Sequence, residues 1–282
     1  VSLETTVGEL LPDVKMREEV AAITLLQLST HTSGLPRLPP NLGKMYIIMN
    51  AADPYAKYDR EKLHKGLARV KLTEEGFSYS NLGVGLLGDL LSVKAGQDYC
   101  ALIEERIAAP WALQSLQCSQ PANLAQPHLW TGAENPAWNF GSLAGAGALR
   151  SNSDDLLRFQ EQLFQYHQGV HEGSLEKAAA STLQIHVQEG SRNVGLGWMA
   201  VDMDGVPCYF HNGMTGGTSS FIGTCPSKEV AMVLLMNQQD LKFQLTNSGM
   251  KLLDELLTRS IAEQYRQQPD SIDLLNVEAP EN

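Results

Sequence analysis

Two short segments carry side chains whose types and spacing could do chemistry. In FSYSNLGVGLLGDLL, Tyr79 and Asn81 stand two residues apart just before a glycine-spaced apolar run. In HNGMTGG, His211, Asn212, Gly213 and Met214 lead into Thr215, Gly216 and Gly217. The first segment can be a packing motif, a nucleotide loop or one half of an active site. Taken singly, each has a plain structural account. Tyr79 can sit on a core edge with Asn81 as a helix cap, and HNGMTGG can be a glycine-rich connection leaving one strand and entering the next.

Other patterns invite chemistry less strongly. Gly83, Gly85 and Gly88 spell G-x-G-x-x-G. A phosphate loop needs a buried strand before it and a βαβ unit around it. FSYSN is polar and no parallel unit follows, so small residues for close helix packing are the better account. His167 and His171 have the four-residue spacing of helical zinc ligands, but Gly169 lies between them and no third ligand is evident. Ser174 and Ser248 each stand three residues before a lysine, Lys177 and Lys251. A serine one helical turn from an amine is a known nucleophile arrangement. Neither is preceded by the apolar run of a buried helix, and Ser174 remains the better of two weak candidates.

The elements that must position Tyr79 and His211 follow from periodicity and punctuation. Helices are expected over 23–30 with Thr24 at the start, over 59–70, over 82–95 with Gly96 as the stop, and over 99–108. Residues 119–139 hold Pro121, Pro127, Gly132 and Pro136 and read as loop. Ser153, with Asp154 and Asp155 in the first turn, is expected to cap a helix through 166. From 190 onward the pattern is strands: 196–203, 206–211, 218–224 and 229–237, with Asp204-Gly205 a hairpin turn. A final helix over about 245–265 presents Leu245, Leu252 and Leu256 as its central apolar stripe, widened by Met250, Leu253 and Leu257. Helices first, an antiparallel sheet late and a helix to cover it make an α+β layout. The expected organisation is a segment 1–22, a mostly helical part 23–190 carrying Tyr79, a sheet with its helix at 191–268, and a polar tail 269–282.

Composition narrows the partners. The 282 residues are 43% hydrophobic and 19% charged, ordinary for a globular chain, and the net charge is −11. That charge argues against nucleic acid or an anionic membrane as partner. The longest apolar run, 230–236, is far too short to span a bilayer, so no transmembrane segment is expected. No stretch has the form of a signal peptide. The four cysteines lack metal-type spacing, and their number permits two disulfides without requiring any. Cys208 and Cys225 can pair or stay two buried thiols.

Read in order, six segments are similar to one superfamily. They are ITLLQLSTHTSGLP, FSYSNLGVGLLGDLL, ERIAAPWAL, AGAGALRSNSDDLLRF, GLGW and HNGMTGGTSSFIG. The chain resembles the serine β-lactamase, DD-peptidase and esterase superfamily, and in particular its class C-like branch. The resemblance implies a β-lactamase/transpeptidase-like fold and acyl transfer through a serine in S-x-x-K. It implies that Tyr79 transfers protons, Asn81 orients substrate and the lysine, and His211 fills the third-motif cation position. Asn212 and Gly213 would line the substrate strand. The backbone N–H of Met214 would be half of an oxyanion hole, a donor contributing about 3 kcal/mol to the transition state. A tyrosine acting as base needs its pKa lowered by adjacent cations. His211 is a weaker source than lysine, because imidazole is mostly neutral above about pH 7. The substrate is a small molecule or peptide, no metal or organic cofactor is implied, and family members are often periplasmic or secreted.

One part of the pattern is absent. VSLETTVGELLP, residues 1–12, looks like the family segment that follows S-x-x-K. The resemblance therefore implies that the nucleophile, the opening strands and the central helix belong to a segment outside this chain. Three readings result: a hydrolase whose Ser-x-x-Lys is supplied from elsewhere, a non-catalytic homologue that binds a peptide or cell-wall-like ligand, or an atypical esterase using Ser174 or another serine. Loops 37–58 and 119–140 are expected to form the pocket walls.

Overall fold

The computed structural model describes residues 1–73, 76–167 and 173–267. Its first part is helical. Helices α1 (Val7–Leu10), α2 (Glu18–Ala21), α3 (Leu25–Ser29), α4 (Lys44–Met49) and α5 (Arg60–Leu67) precede α6 (Asn81–Ala95) and α7 (Tyr99–Ile103). Reciprocal side-chain bonds between Thr6 and Glu9, and between Thr24 and Gln27, close the first turns of α1 and α3. Asp59 and Asp98 cap α5 and α7 with one bond each, accepting from Lys62 N–H and Cys100 N–H. The helix expected over 99–108 changes form: 104–108 continues α7 as a π-helical turn.

Helix α6 is the axis of this lobe. Leu82, Leu86 and Leu90 are fully buried, each a contribution of about 1.5–3 kcal/mol. Its glycines serve packing, the account preferred over a phosphate loop. A Cβ on Gly85 would lie 2.7 Å from Leu143 Cδ2, because the 3-10 segment Gly141–Ala146 crosses the helix there. Two caps differ from expectation. Ser80, not Asn81, caps α6: its hydroxyl accepts from Gly83 N–H, and Asn81 is the first helical residue. Asn152, not Ser153, takes the amide of Asp155 at the start of α8 (Ser153–His167). Ser80 has the extended backbone that lets a side chain turn back onto the helix.

After α9 (Ser174–Thr182) the chain forms six strands: β1 (Val187–Glu189), β2 (Arg192–Val194), β3 (Met199–Met203), β4 (Val206–Met214), β5 (Ser219–Cys225) and β6 (Val230–Met236). They lie side by side in sequence order, all antiparallel. Asp204 and Gly205 both have positive φ, 51° and 80°, as a tight two-residue hairpin demands. The β1–β2 hairpin was not expected. Its strands are three residues long and mostly polar, too short for alternation to register. The sheet therefore begins at Val187 rather than 191. In segment 1–22, Val7, Leu11 and Val20 join the core around α6.

Alternation divides the sheet's two faces. Phe221 and Cys208 turn toward helix α10 (Gln244–Gln267), while Tyr209 and Ile222 join Leu163 of α8 and Ala179 of α9 on the other side. The stripe of α10 is shifted by one position from the expected centre. Gly249, Leu253 and Leu257 are buried, whereas Leu252 and Leu256 are more than one-third exposed. The shift follows from Gly249, whose missing side chain lets α10 settle directly over the Phe221 ring. All four cysteines are paired, Cys100 with Cys118 and Cys208 with Cys225. The second bridge ties β4 to β5 at the open end of their hairpin, far from the turn that joins Met214 to Ser219. His171 and the tail 269–282 lie outside the described residues.

Candidate active site

Tyr79 sits in an extended stretch leading into α6, and its surroundings are built by the loop after α3. His31 closes α3 with φ 59°, a left-handed conformation that redirects the chain into 32–37. That loop is pinned to the start of α6 at four points. Ser78 N–H donates to His31 O at 2.8 Å and Ser80 N–H donates to His31 Nδ1 at 3.1 Å. Ser80 Oγ donates to Pro36 O at 2.8 Å, and Leu82 N–H donates to Arg37 O at 3.2 Å. The consequence is a layered arrangement: the His31 ring lies 4.3 Å from the Tyr79 ring, and the Arg37 guanidinium sits 5.4 Å from its centroid.

The sheet supplies the opposite wall. His211 is on β4, inside the strand rather than in the connection after it. Period-two alternation puts it on the same face as Tyr209 and Ile222, toward the helical lobe. Its ring centroid is 6.4 Å from that of Tyr79. β3 pairs with β4 only as far as Phe210, so 211–214 is bonded on the β5 side alone and presents a free edge. This is how a strand in the middle of a sheet supplies an edge at the site. Gly213 and Met214 are exposed on that edge. Asn212 alternates to the other face and lines a small recess with Asp240, Phe243 and Thr246.

Asn81 lies toward Tyr55, and its side chain offsets part of the burial that raises the pKa of that phenol. Tyr55 is buried, stacked on Phe140 at 5.4 Å and edge-on to Trp138 at 5.5 Å. These side chains come from 37–58 and 119–140, the loops expected to wall the pocket. The paired glycines of HNGMTGG are explained here too. Gly216 lies against Trp138 and Asn135, and Gly217 against Pro127 and His128, where no side chain would fit.

Burial dominates the electrostatics. It raises the pKa of Tyr79 above the ordinary phenol value, and the nearby Arg37 charge only partly offsets it. Burial likewise lowers the pKa of His211. His31 is pushed down from 6.5 to about 4, by burial first and by His211 second. At neutral pH the rings are therefore a phenol between two neutral imidazoles. The cation-lowered Tyr79 expected from the sequence is not what these residues alone produce. Such a phenol can pass a proton but needs more positive charge nearby to hold a phenolate.

Ser174 is exposed at the first turn of α9 and Ser248 is exposed on α10. Neither hydrogen-bonds Tyr79 or His211. Sequence reasoning assigned no role to His31, Arg37, Tyr55 or Trp138, although THTSGLP flagged the loop that holds the first two. A separate groove of about 1190 Å³ lies beside α5 and α6, where buried Asp89 is held by Arg60 at 2.6 Å and His64 at 2.8 Å. Among the described residues, no cluster of histidine, cysteine or acidic side chains is placed to hold a metal ion, and no helix is long and apolar enough to cross a membrane.

Comparison with known proteins gives a consistent picture. A family model described as Beta-lactamase matches residues 1–254. The D-alanyl-D-alanine-carboxypeptidase/endopeptidase AmpH of Escherichia coli K12 is 25% identical over 252 residues, 84% of this chain and 63% of that protein. Penicillin-binding protein 4 of Amycolatopsis lactamdurans is 27% identical over 277 residues, 90% of this chain and 70% of that one. The chain thus spans less than two-thirds of the first relative. Among solved structures, a class C beta-lactamase superposes with TM-score 0.75 at 20% identity, covering 91% of this chain and 75% of its own. A beta-lactamase/D-alanine carboxypeptidase from Pseudomonas syringae superposes with TM-score 0.72 at 17% identity, covering 93% and 77%.

Proposed function

The chain belongs to the beta-lactamase family, and from that premise we propose that its cleft serves a serine hydrolase acting on an amide, β-lactam or ester through an acyl-enzyme. The observation that carries this reading is the meeting of Tyr79 and His211 across the two lobes, 6.4 Å apart, beside the free edge of β4. In the proposed reaction a serine oxygen adds to the substrate carbonyl carbon. Its proton passes by way of Tyr79 to the departing nitrogen or oxygen, and water then releases the acyl group. The free edge at 211–214 offers backbone groups to an extended substrate, Gly213 leaves it room, and the Met214 N–H faces the developing oxyanion. Asn81 orients the substrate amide and His211 lines the pocket.

We place the nucleophile outside these 282 residues. The only two serines followed three residues later by lysine, Ser174 and Ser248, are both exposed on helices and neither is bonded to Tyr79. A neutral Tyr79 supports the same view, since an S-x-x-K lysine beside it would supply the missing charge. The same two exposed serines favour a second reading, a ligand-binding cleft for a peptide or cell-wall-like molecule without acyl transfer.

Intact mass after exposure to a fluorophosphonate or a penicillin separates the readings. The proposal expects no adduct on the 282-residue chain and one adduct, on a serine beyond it, in the product of the full reading frame. An adduct mapped to Ser174 would overturn the placement of the nucleophile. Reversible peptide binding with no adduct on either protein would replace hydrolysis by the binding role.

A further inference from the structure

The cleft needs a positive charge near Tyr79, and His211 does not supply it. His211 is partly buried on the inner face of β4 and burial favours its neutral form. His31 faces the other side of Tyr79, accepts the Ser80 N–H on Nδ1 and is neutral as well. The remaining charged group at the ring is Arg37.

Three observations single it out. Its guanidinium carbon stands 5.4 Å from the Tyr79 centroid, within the range of a cation–π contact. Its main chain is fixed, because Leu82 N–H bonds its carbonyl and Ser80 Oγ bonds the preceding Pro36 carbonyl. Among the described residues it has no carboxylate partner, although Arg17, Arg60, Arg106 and Arg158 all do. An exposed arginine is ordinarily free to wander, but this one is anchored at its base with an aromatic face as its one ring contact. Its charge also reaches the Tyr55 phenol.

We infer that Arg37 is a positioning residue for Tyr79, supplying from the helical lobe the positive charge against which the phenol gives up its proton. The cation of this site thus enters from the loop after α3 instead of from β4. The inference rests on the proposed role of Tyr79 as a proton carrier. A guanidinium over the ring attracts a phenolate, whose π system carries net negative charge, more than a neutral phenol. Because Arg37 is exposed, salt should weaken the effect.

The test places 3-nitrotyrosine, whose phenol ionises near neutrality, at position 79. Its visible absorbance is titrated in proteins bearing Arg, Lys, Gln or Glu at position 37. No substrate or nucleophile is required. The expected order of midpoints is Arg37 lowest, Arg37→Lys close to it, Arg37→Gln higher and Arg37→Glu highest, with the spread shrinking in high salt. Equal midpoints across the series would overturn the inference. If the nitro group prevents folding, ring-13C tyrosine is read instead, the Tyr79 resonance being the one lost in Tyr79→Phe. The outcome is independent of hydrolysis. A protein that shows the ordered midpoints but never forms an acyl adduct rejects the proposed function alone. An acylating protein with equal midpoints rejects only the role of Arg37.

Discussion

The hydroxyl of Ser80 donates to the carbonyl of Pro36 at 2.8 Å while accepting the amide of Gly83 at 2.9 Å. One buried side chain therefore starts α6 and holds the loop bearing His31 and Arg37 against Tyr79. Ser80→Ala removes the cap and leaves the Pro36 carbonyl without its donor. The expected loss is about 1–3 kcal/mol. Urea denaturation checks it; a loss within error of zero would mean that water replaces the hydroxyl.

Gly249→Ala sets two effects against each other. Alanine in a helix interior gains about 1 kcal/mol over glycine. Here the new methyl would fall within 2.6 Å of Phe221 Cε1, on a ring that is 1% exposed and locked between the strands and α10. Overpacking of this kind costs about 1–3 kcal/mol. The clash should win, and the melting temperature should drop. A rise would show that α10 can slide on the sheet.

Acid should destabilise the fold in a defined window. Unfolded His31 binds a proton below its ordinary pKa of 6.5, whereas the folded residue resists until about 4. The unfolded state thus carries the extra proton between those values, and stability falls as pH drops through them. The slope is about 1.4 kcal/mol per pH unit, or about 3 kcal/mol across the window. His211, also lowered by burial, acts in the same direction. His31→Asn, which tolerates the left-handed backbone, should be weaker at pH 7 yet show a flatter dependence between pH 6.5 and 4. Urea midpoints at several pH values provide the comparison.

Cys208–Cys225 closes a loop of 17 residues in sequence separation, and both sulfurs are buried. Chain-entropy arguments give a bridge of this span about 3 kcal/mol. The double variant Cys208→Ala/Cys225→Ala should lose stability of that order. In the folded wild type, mild reductant should open Cys100–Cys118 first, because Cys100 and Cys118 are only partly buried. Mass mapping of alkylated peptides after timed reduction checks the order.

The legible parts of this molecule were those written in local chemistry. Thr24, Asp59 and Gly96 marked helix ends correctly because a cap depends on a few adjacent atoms. Asp204-Gly205 marked its hairpin for the same reason. The shared face of His211 and Tyr209 followed from alternation once β4 was known to run to Met214. What stayed hidden was long-range. Nothing near Arg37 in sequence announces that its side chain returns over Tyr79, and nothing near Asn81 announces Tyr55. The stripe of α10 was misplaced by one residue because leucines outweigh a glycine in any apolar count, although the glycine decides the approach. The pairing of Cys208 with Cys225 needed the register of β4 on β5, which spacing alone could not give.

The β1–β2 hairpin has a longer reach than its six strand residues suggest. The Glu189 carboxylate accepts the Phe77 amide at 2.8 Å, and the Arg192 guanidinium lies 4.4 Å from the Phe77 ring centroid. The outermost strands of the sheet thus clasp the segment that enters Tyr79. Both contacts are at the surface, and β1 and β2 bury few side chains. Such a clasp opens at a free energy well below that of global unfolding. The cleft accordingly has a melting curve of its own. On heating, function fades while the circular dichroism of the lobes is still intact, and the interval between the two curves measures how firmly one surface hairpin holds the tyrosine in place.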